Sequence, residues 1–175
     1  KVDREICPLN LAPTTSTTAA LVIGDALCAT LMQQRNFTEG DFAKFHPGGT
    51  LGRGLLTKAK DIMKVDVPFV AQDEALQEVL LKISEGRLGL ACIGSAENVL
   101  GVITDGDIRR AIAKAGDSTQ LVAKEIGTAS PVFIDENMGL NDMNRLFRER
   151  KIVSVLVGHK ESLKGVVQFY DVHHG

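Results

Sequence analysis

His46 lies in the stretch AKFHPGGTLGR, residues 43–53. An imidazole can move a proton near neutral pH, and glycines let backbone amides approach a small charged molecule closely. Pro47 disfavours helical backbone at the residue before it, so a short helix ahead of it should end there. A second set of residues lies in GVITDGD, residues 101–107. Thr104 ends an apolar run, and Asp107 follows three residues on, at the start of a helical pattern. A carboxylate there can receive both hydroxyls of a ribose, and Arg109 and Arg110, expected in the first helical turn, can meet a phosphate. The same residues can serve as helix caps with no ligand at all.

The elements that carry these residues repeat. Shifted by 64 residues, the segment 61–108 aligns on 125–172 without a gap. Val70 meets Ile134, Leu76 meets Leu140, Gly94 meets Gly158, Gly101 meets Gly165 and Asp107 meets Asp171. A long period present twice indicates a duplicated small domain rather than a solenoid. Each copy predicts a short strand (PFVA or PVFI), then a helix. Leu76, Val79, Leu80 and Ile83 share one face of the first such helix, and Leu140, Met143, Leu146 and Phe147 one face of the second. Asp73 and Asn137 are the expected N-caps. Two strands follow, the first apolar enough to be buried on both faces, and then a last helix capped by Asp107 or Asp171. The order is β-α-β-β-α, twice. In the second copy Gln168 replaces the threonine, and Phe169 and Tyr170 replace Asp105 and Gly106. That aromatic pair can stack a base or fill the cleft. The last helix is cut short by the end of the sequence at VHHG.

Order, length and the G-h-h-T-x-x-D motif of residues 101–107 resemble a CBS pair, a tandem module of α/β (α+β) class. The resemblance implies binding of adenosyl or related nucleotides, with Thr104 and Asp107 at the family's contact positions; Arg109 beside them and Asp171, the counterpart of Asp107 in the second copy, complete the candidate set.

The first 57 residues differ in kind. ICPLNLAP, residues 6–13, suggests a strand end entering a loop. Thr15 to Thr17 can cap a helix that is small and apolar nearly all round from Ala19 to Met32. A helix apolar on every side is expected to be buried on every side. So short a segment cannot do that alone, which points to a larger domain or a covering chain. Thr38 with Asp41 three residues on is a capping-box variant.

LNLAPTTSTTAALVIGDALC followed by DFAKFHPGGTLGR and a CBS pair is similar to the C-terminal part of D-arabinose 5-phosphate isomerases. These are sugar-isomerase (SIS) enzymes of the Kdo pathway for lipopolysaccharide and capsule. The resemblance spans essentially the whole chain. It implies an aldose–ketose isomerisation of D-ribulose 5-phosphate through an enediol, in a SIS domain ahead of the CBS pair. His46 matches the family's active-site histidine, which can face a neighbouring subunit's site. The remaining catalytic residues would lie upstream, and Thr14 to Thr18 are assigned to capping rather than to a phosphate loop. Expected domains are residues 1–57, the incomplete C-terminal part of a SIS domain, 58–116, the first CBS repeat, and 122–175, the second. The first residue is Lys1 rather than Met, and the expectation is a piece of a longer chain, inactive alone.

Composition narrows the alternatives. Twenty Lys and Arg against 22 Asp and Glu leave a net charge of −2, which is no basic footprint for nucleic acid. One tyrosine and no tryptophan make no stacking platform for single strands. The apolar run at Ala19–Ile23 is far shorter than a membrane span. Cys7, Cys28 and Cys92 lack metal-ligand spacing and are expected as reduced, buried thiols of a cytosolic protein. No metal or cofactor is implied. Three readings remain. One is an isomerase part acting on a sugar phosphate. The second is a sensor of an adenine nucleotide or of the nucleotide sugar CMP-Kdo. The third is a tether holding a homodimer or homotetramer together.

Overall fold

The structure, a computed structural model, describes residues 2–46, 50–116 and 118–174. The chain divides into two compact units, Lys1–Gly52 and Arg53–Gly175.

In the first unit, helix α1 runs Thr15–Gln34 and α2 runs Glu39–Phe45. Ahead of α1 the described residues form no strand but a loop gathered on Glu5. Its carboxylate accepts from the Thr14 amide at 2.7 Å, the Ser16 amide at 3.2 Å and the Thr14 hydroxyl at 3.1 Å. Thr14 is the N-cap of α1, but its hydroxyl faces back and accepts from the amides of Ile6 and Cys7 instead of capping. Thr17 and Thr18 hydroxyls donate to the Thr14 carbonyl. The expected cap at Thr15 to Thr17 is therefore replaced by this loop. No residue of α1 is buried, because this unit supplies nothing to cover it. The whole helix is also long and apolar enough to cross a membrane, which the run Ala19–Ile23 alone is not; core helices of soluble proteins pass the same test. The capping box on α2 is as expected. Thr38 accepts from the Asp41 amide, and the Asp41 carboxylate accepts from the Thr38 amide at 3.1 Å.

The second unit holds the repeat. Helix α3, Thr50–Leu56, leads into α4, Ala59–Ile62. The first copy then runs β1 (Phe69–Val70), α5 (Leu76–Gly86), β2 (Leu90–Ser95), β3 (Asn98–Thr104) and α6 (Asp105–Lys114). The second runs α7 (Ala123–Ile126), β4 (Phe133–Ile134), α8 (Leu140–Arg150), β5 (Ser154–His159), β6 (Ser162–Gln168) and α9 (Phe169–His174). Each copy makes a three-stranded sheet, β1-β2-β3 or β4-β5-β6, with one parallel and one antiparallel pairing. Registers correspond at the 64-residue offset: Cys92 faces Val102 as Leu156 faces Val166. Both antiparallel pairs carry an irregularity at a glycine with positive φ, Gly94 at 107° and Gly158 at 112°. Compared with the expected β-α-β-β-α, each copy gains a leading one-turn helix, α4 or α7.

Those leading segments are exchanged. Lys64, just past α4, bridges Val166 on β6 of the second copy, and Thr128, just past α7, bridges Val102 on β3 of the first. Ala59 of α4 is fully buried in the second copy's core with Met143, Phe147 and Val155. Ala123 and Ile126 of α7 are buried in the first copy's core with Val79, Ile83 and Ile103. The exchange also moves the helix starts. The Leu76 amide donates to the Leu121 carbonyl and the Leu140 amide to the Thr57 carbonyl, both at 3.0 Å. The partner copy's arm thus satisfies the first helical amides, so α5 and α8 begin after Ala75 and Gly139, without a side-chain cap. Asp73 and Asn137 stand in the preceding turns and are not the caps.

A third cluster forms the seam between the sheets: Leu90, Cys92 and Val99 of one, Leu156 and Val166 of the other, with Leu88 beside them. Each large side chain buried there is worth about 1.5–3 kcal/mol, against about 1 kcal/mol net for each bridging hydrogen bond. The seam, more than the bridges, holds the copies together.

Candidate functional site

The two motif ends, β3 into α6 and β6 into α9, occupy corresponding places and differ in chemistry. At the first, Thr104 itself is the N-cap and its hydroxyl accepts from the Asp107 amide at 3.3 Å. Asp107 stands at the third helical position and returns the bond, Oδ2 accepting from the Thr104 amide at 2.9 Å and from its hydroxyl at 2.6 Å. The expected roles are therefore exchanged: Thr104 caps and Asp107 completes a capping box. Asp107 is 8% exposed, the one buried charged residue among those described, and Oδ1 pairs with the Arg110 guanidinium. Arg109 is exposed on the same helix, in its second turn rather than its first. The arm residue adjoining this end is Thr128, held by two hydrogen bonds to Val102 of 2.8 and 3.0 Å. Gly101 permits the approach, since a Cβ there would lie 2.9 Å from the Thr128 carbonyl oxygen.

At the second end Asp171 Oδ2 accepts from the Gln168 amide at 2.9 Å, but no threonine hydroxyl joins it. Its other oxygen, Oδ1, pairs with Lys64 Nζ at 3.0 Å. The same ammonium donates to Gln168 Oε1 at 3.1 Å, and Gln168 Nε2 donates to the Leu88 carbonyl of the first copy at 2.7 Å. Phe169 packs on the second core, edge-on to Phe147 with ring centroids 5.9 Å apart. Tyr170 is 66% exposed, so the aromatic pair is split between core and surface. Sequence reasoning missed Lys64. Its only signal was a lysine at the offset of Thr128.

His46 is elsewhere, as the C-cap residue of α2 in the first unit. Its amide donates to the Phe42 carbonyl at 3.0 Å, and its exposed ring stacks on Phe42 with centroids 4.6 Å apart and planes 10° from parallel. Pro47, Gly48 and Gly49, the rest of the motif, lie outside the described residues. No cluster of three metal-ligating side chains occurs among the described residues.

Of the three thiols, Cys92 is buried as expected, and Cys7 and Cys28 are not. Cys92 is buried, and burial pushes its thiol up to about 12. Cys28 is exposed on the uncovered α1. Cys7 is half-buried, and backbone amides of Ala12, Leu11, Leu9 and Asn10 directed at it hold its thiol below the ordinary value.

Exchanged arms, paired three-stranded sheets and the capped strand ends define a tandem CBS fold. The family model of the CBS domain matches residues 59–114. CBSX2, whose structure was solved in complex with AMP, superposes with a TM-score of 0.54 at 20% identity, covering 66% of this chain and 92% of that one. Over nearly its whole length, the chain is similar to arabinose 5-phosphate isomerases. It is 44% identical over 170 residues to the probable arabinose 5-phosphate isomerase of Haemophilus influenzae, covering 96% of this chain and 50% of that protein. To arabinose 5-phosphate isomerase KdsD of Salmonella typhimurium it is 42% identical over 175 residues, covering 98% of this chain and 53% of that protein. The chain spans about half the length of the curated relatives it matches.

Proposed function

We propose that this chain is the C-terminal half of an arabinose 5-phosphate isomerase, a cytoplasmic enzyme that interconverts D-ribulose 5-phosphate and D-arabinose 5-phosphate for Kdo, lipopolysaccharide and capsule synthesis. Residues 1–57 are the end of its sugar-isomerase (SIS) domain, and residues 58–116 and 122–175 its CBS repeats. The observation that carries the reading is the 44% identity to such an isomerase across nearly the whole chain. His46, exposed at the end of α2, supplies a proton shuttle to the sugar or helps open its ring. Helix α1 is covered by the rest of that domain or by a second subunit. Half a site cannot orient a sugar phosphate, so the 175 residues alone are inactive. The test is turnover of both pentose phosphates by the full-length protein and by its His46→Ala variant. The variant should lose at least about 100-fold, the usual worth of a positioned acid–base group. A full-length protein inactive on both sugars overturns the reading.

The CBS pair is read as the regulatory half, taking an adenine nucleotide or CMP-Kdo at the Thr104–Asp107 end, with Arg109 near the phosphate. Asp171 is the counterpart at the other end. Support comes from the buried carboxylate of Asp107 beside a hydroxyl and a guanidinium. Thermal-shift titration with AMP, ATP and CMP-Kdo tests it, and no shift with any of them at millimolar concentration favours a tethering role. That second reading has its own observation: Leu80 and Leu81 on α5 and Ile112 on α6 are exposed. It predicts a dimer or tetramer through these helices, and a strictly monomeric full-length protein in sedimentation would count against it.

A further inference from the structure

We propose that the protein fills its own second cleft: Lys64 occupies the end of β6 where Asp171 would receive a ligand's hydroxyls, so the CBS pair takes one nucleotide, at the Thr104–Asp107 end. The one-ligand clause rests on the regulatory reading above; the closure itself does not.

The backbone of Lys64 is fixed by two hydrogen bonds to Val166, of 2.8 and 2.9 Å, so its side chain starts from a set place beside the end of β6. From there Nζ reaches both Asp171 Oδ1 and Gln168 Oε1. The other carboxylate oxygen is held by the Gln168 amide, so each Asp171 oxygen already has a donor. Gln168 is in turn anchored on Leu88. The resulting chain of contacts, Asp171 to Lys64 to Gln168 to Leu88, spans both copies. A ribose would have to displace a tethered ammonium with neutral hydroxyls, and charge-assisted bonds are roughly twice as strong as neutral ones. The tether adds to this, since a group carried on the same chain competes at millimolar effective concentration or above.

The first end is unlike this in the two features that matter. Thr128 stands where Lys64 does, and a threonine side chain has no ammonium and no comparable reach. Asp107 also has a donor on each oxygen, but the one on Oδ1 is Arg110 of its own helix, whose side chain is 66% exposed against 44% for Lys64 and makes no second bond to the strand end such as Lys64 makes to Gln168. Arg110 can therefore turn its charge to a ligand phosphate while Asp107 Oδ1 takes a hydroxyl.

Two measurements on the full-length protein test this. In competitive amine acylation read by mass spectrometry, Lys64 should react about three- to fivefold faster in Asp171→Asn than in the wild type, the shift an exposed ion pair supports. Equal rates overturn the closure. In calorimetric titration with AMP and ATP, the wild type should bind one equivalent per chain and Lys64→Met two. Two equivalents in the wild type, or one in Lys64→Met, overturn the proposal. If neither protein binds either nucleotide, the one-ligand clause falls with the reading it rests on, and the acylation rates still decide the closure.

Discussion

Lys64 and Val166 exchange both backbone hydrogen bonds across the two copies, and Gly165 beside Val166 is what lets them meet. A Cβ on Gly165 would lie 2.6 Å from the Lys64 carbonyl oxygen and 3.2 Å from the Met63 side chain. Gly101 plays the same part for Thr128 in the first copy.

Gly165→Ala should therefore destabilise the CBS pair by about 1–3 kcal/mol, the cost of forcing atoms into a packed contact. Gly101→Ala should act in the same direction, by less, because its closest contact is looser. Urea denaturation of the two variants measures both. A Gly165→Ala protein as stable as the wild type would show that the arm can shift without loss.

Thr104→Ala removes the cap hydroxyl of α6 and one donor to a buried carboxylate. The loss should be about 1–2 kcal/mol. Thr104→Ser should recover most of it, because the serine hydroxyl can make both bonds. Failure of serine to recover would assign the effect to the threonine methyl rather than to the cap.

Glu5 governs the loop ahead of α1. Bonds from the Ser16 hydroxyl, first, and the Thr14 amide hold its carboxyl down to about 2, from an ordinary value of 4.5. A depressed carboxylate contributes order that is present above its unfolded value and is lost as pH falls through the folded one. The Thr14 and Ser16 amides should thus be protected from hydrogen exchange above about pH 4.5 and lose protection progressively towards pH 2. In Glu5→Gln the protection should be weaker and should not change across that window.

The thiols should react in two classes. Iodoacetamide at neutral pH should modify Cys7 and Cys28 in the 175-residue chain by itself, where α1 is uncovered, and spare Cys92 until the second unit unfolds, because burial both hides its sulfur and opposes the thiolate. Early modification of Cys92 would mean that the seam between the sheets opens readily.

Much of this was legible in the amino-acid order. The 64-residue repeat located β2 and β3 against β5 and β6, since near-continuous apolar runs such as LGLACIG suit a strand covered on both faces. Thr38 and Asp41 announced their box because both partners lie in one helical turn. Thr104 and Asp107 were found as a pair for the same reason, although which of them caps was reversed. Local spacing could not say that the amides of Leu76 and Leu140 are satisfied by the other copy's arm, nor therefore that Asp73 and Asn137 are not caps. Nor could it pair Lys64 with Asp171. Residues within a turn of one another meet wherever the chain folds, so their chemistry is written in their order. Residues far apart meet only after two sheets have buried a common seam and exchanged their arms, and that packing decided that the protein's two like strand ends carry different neighbours.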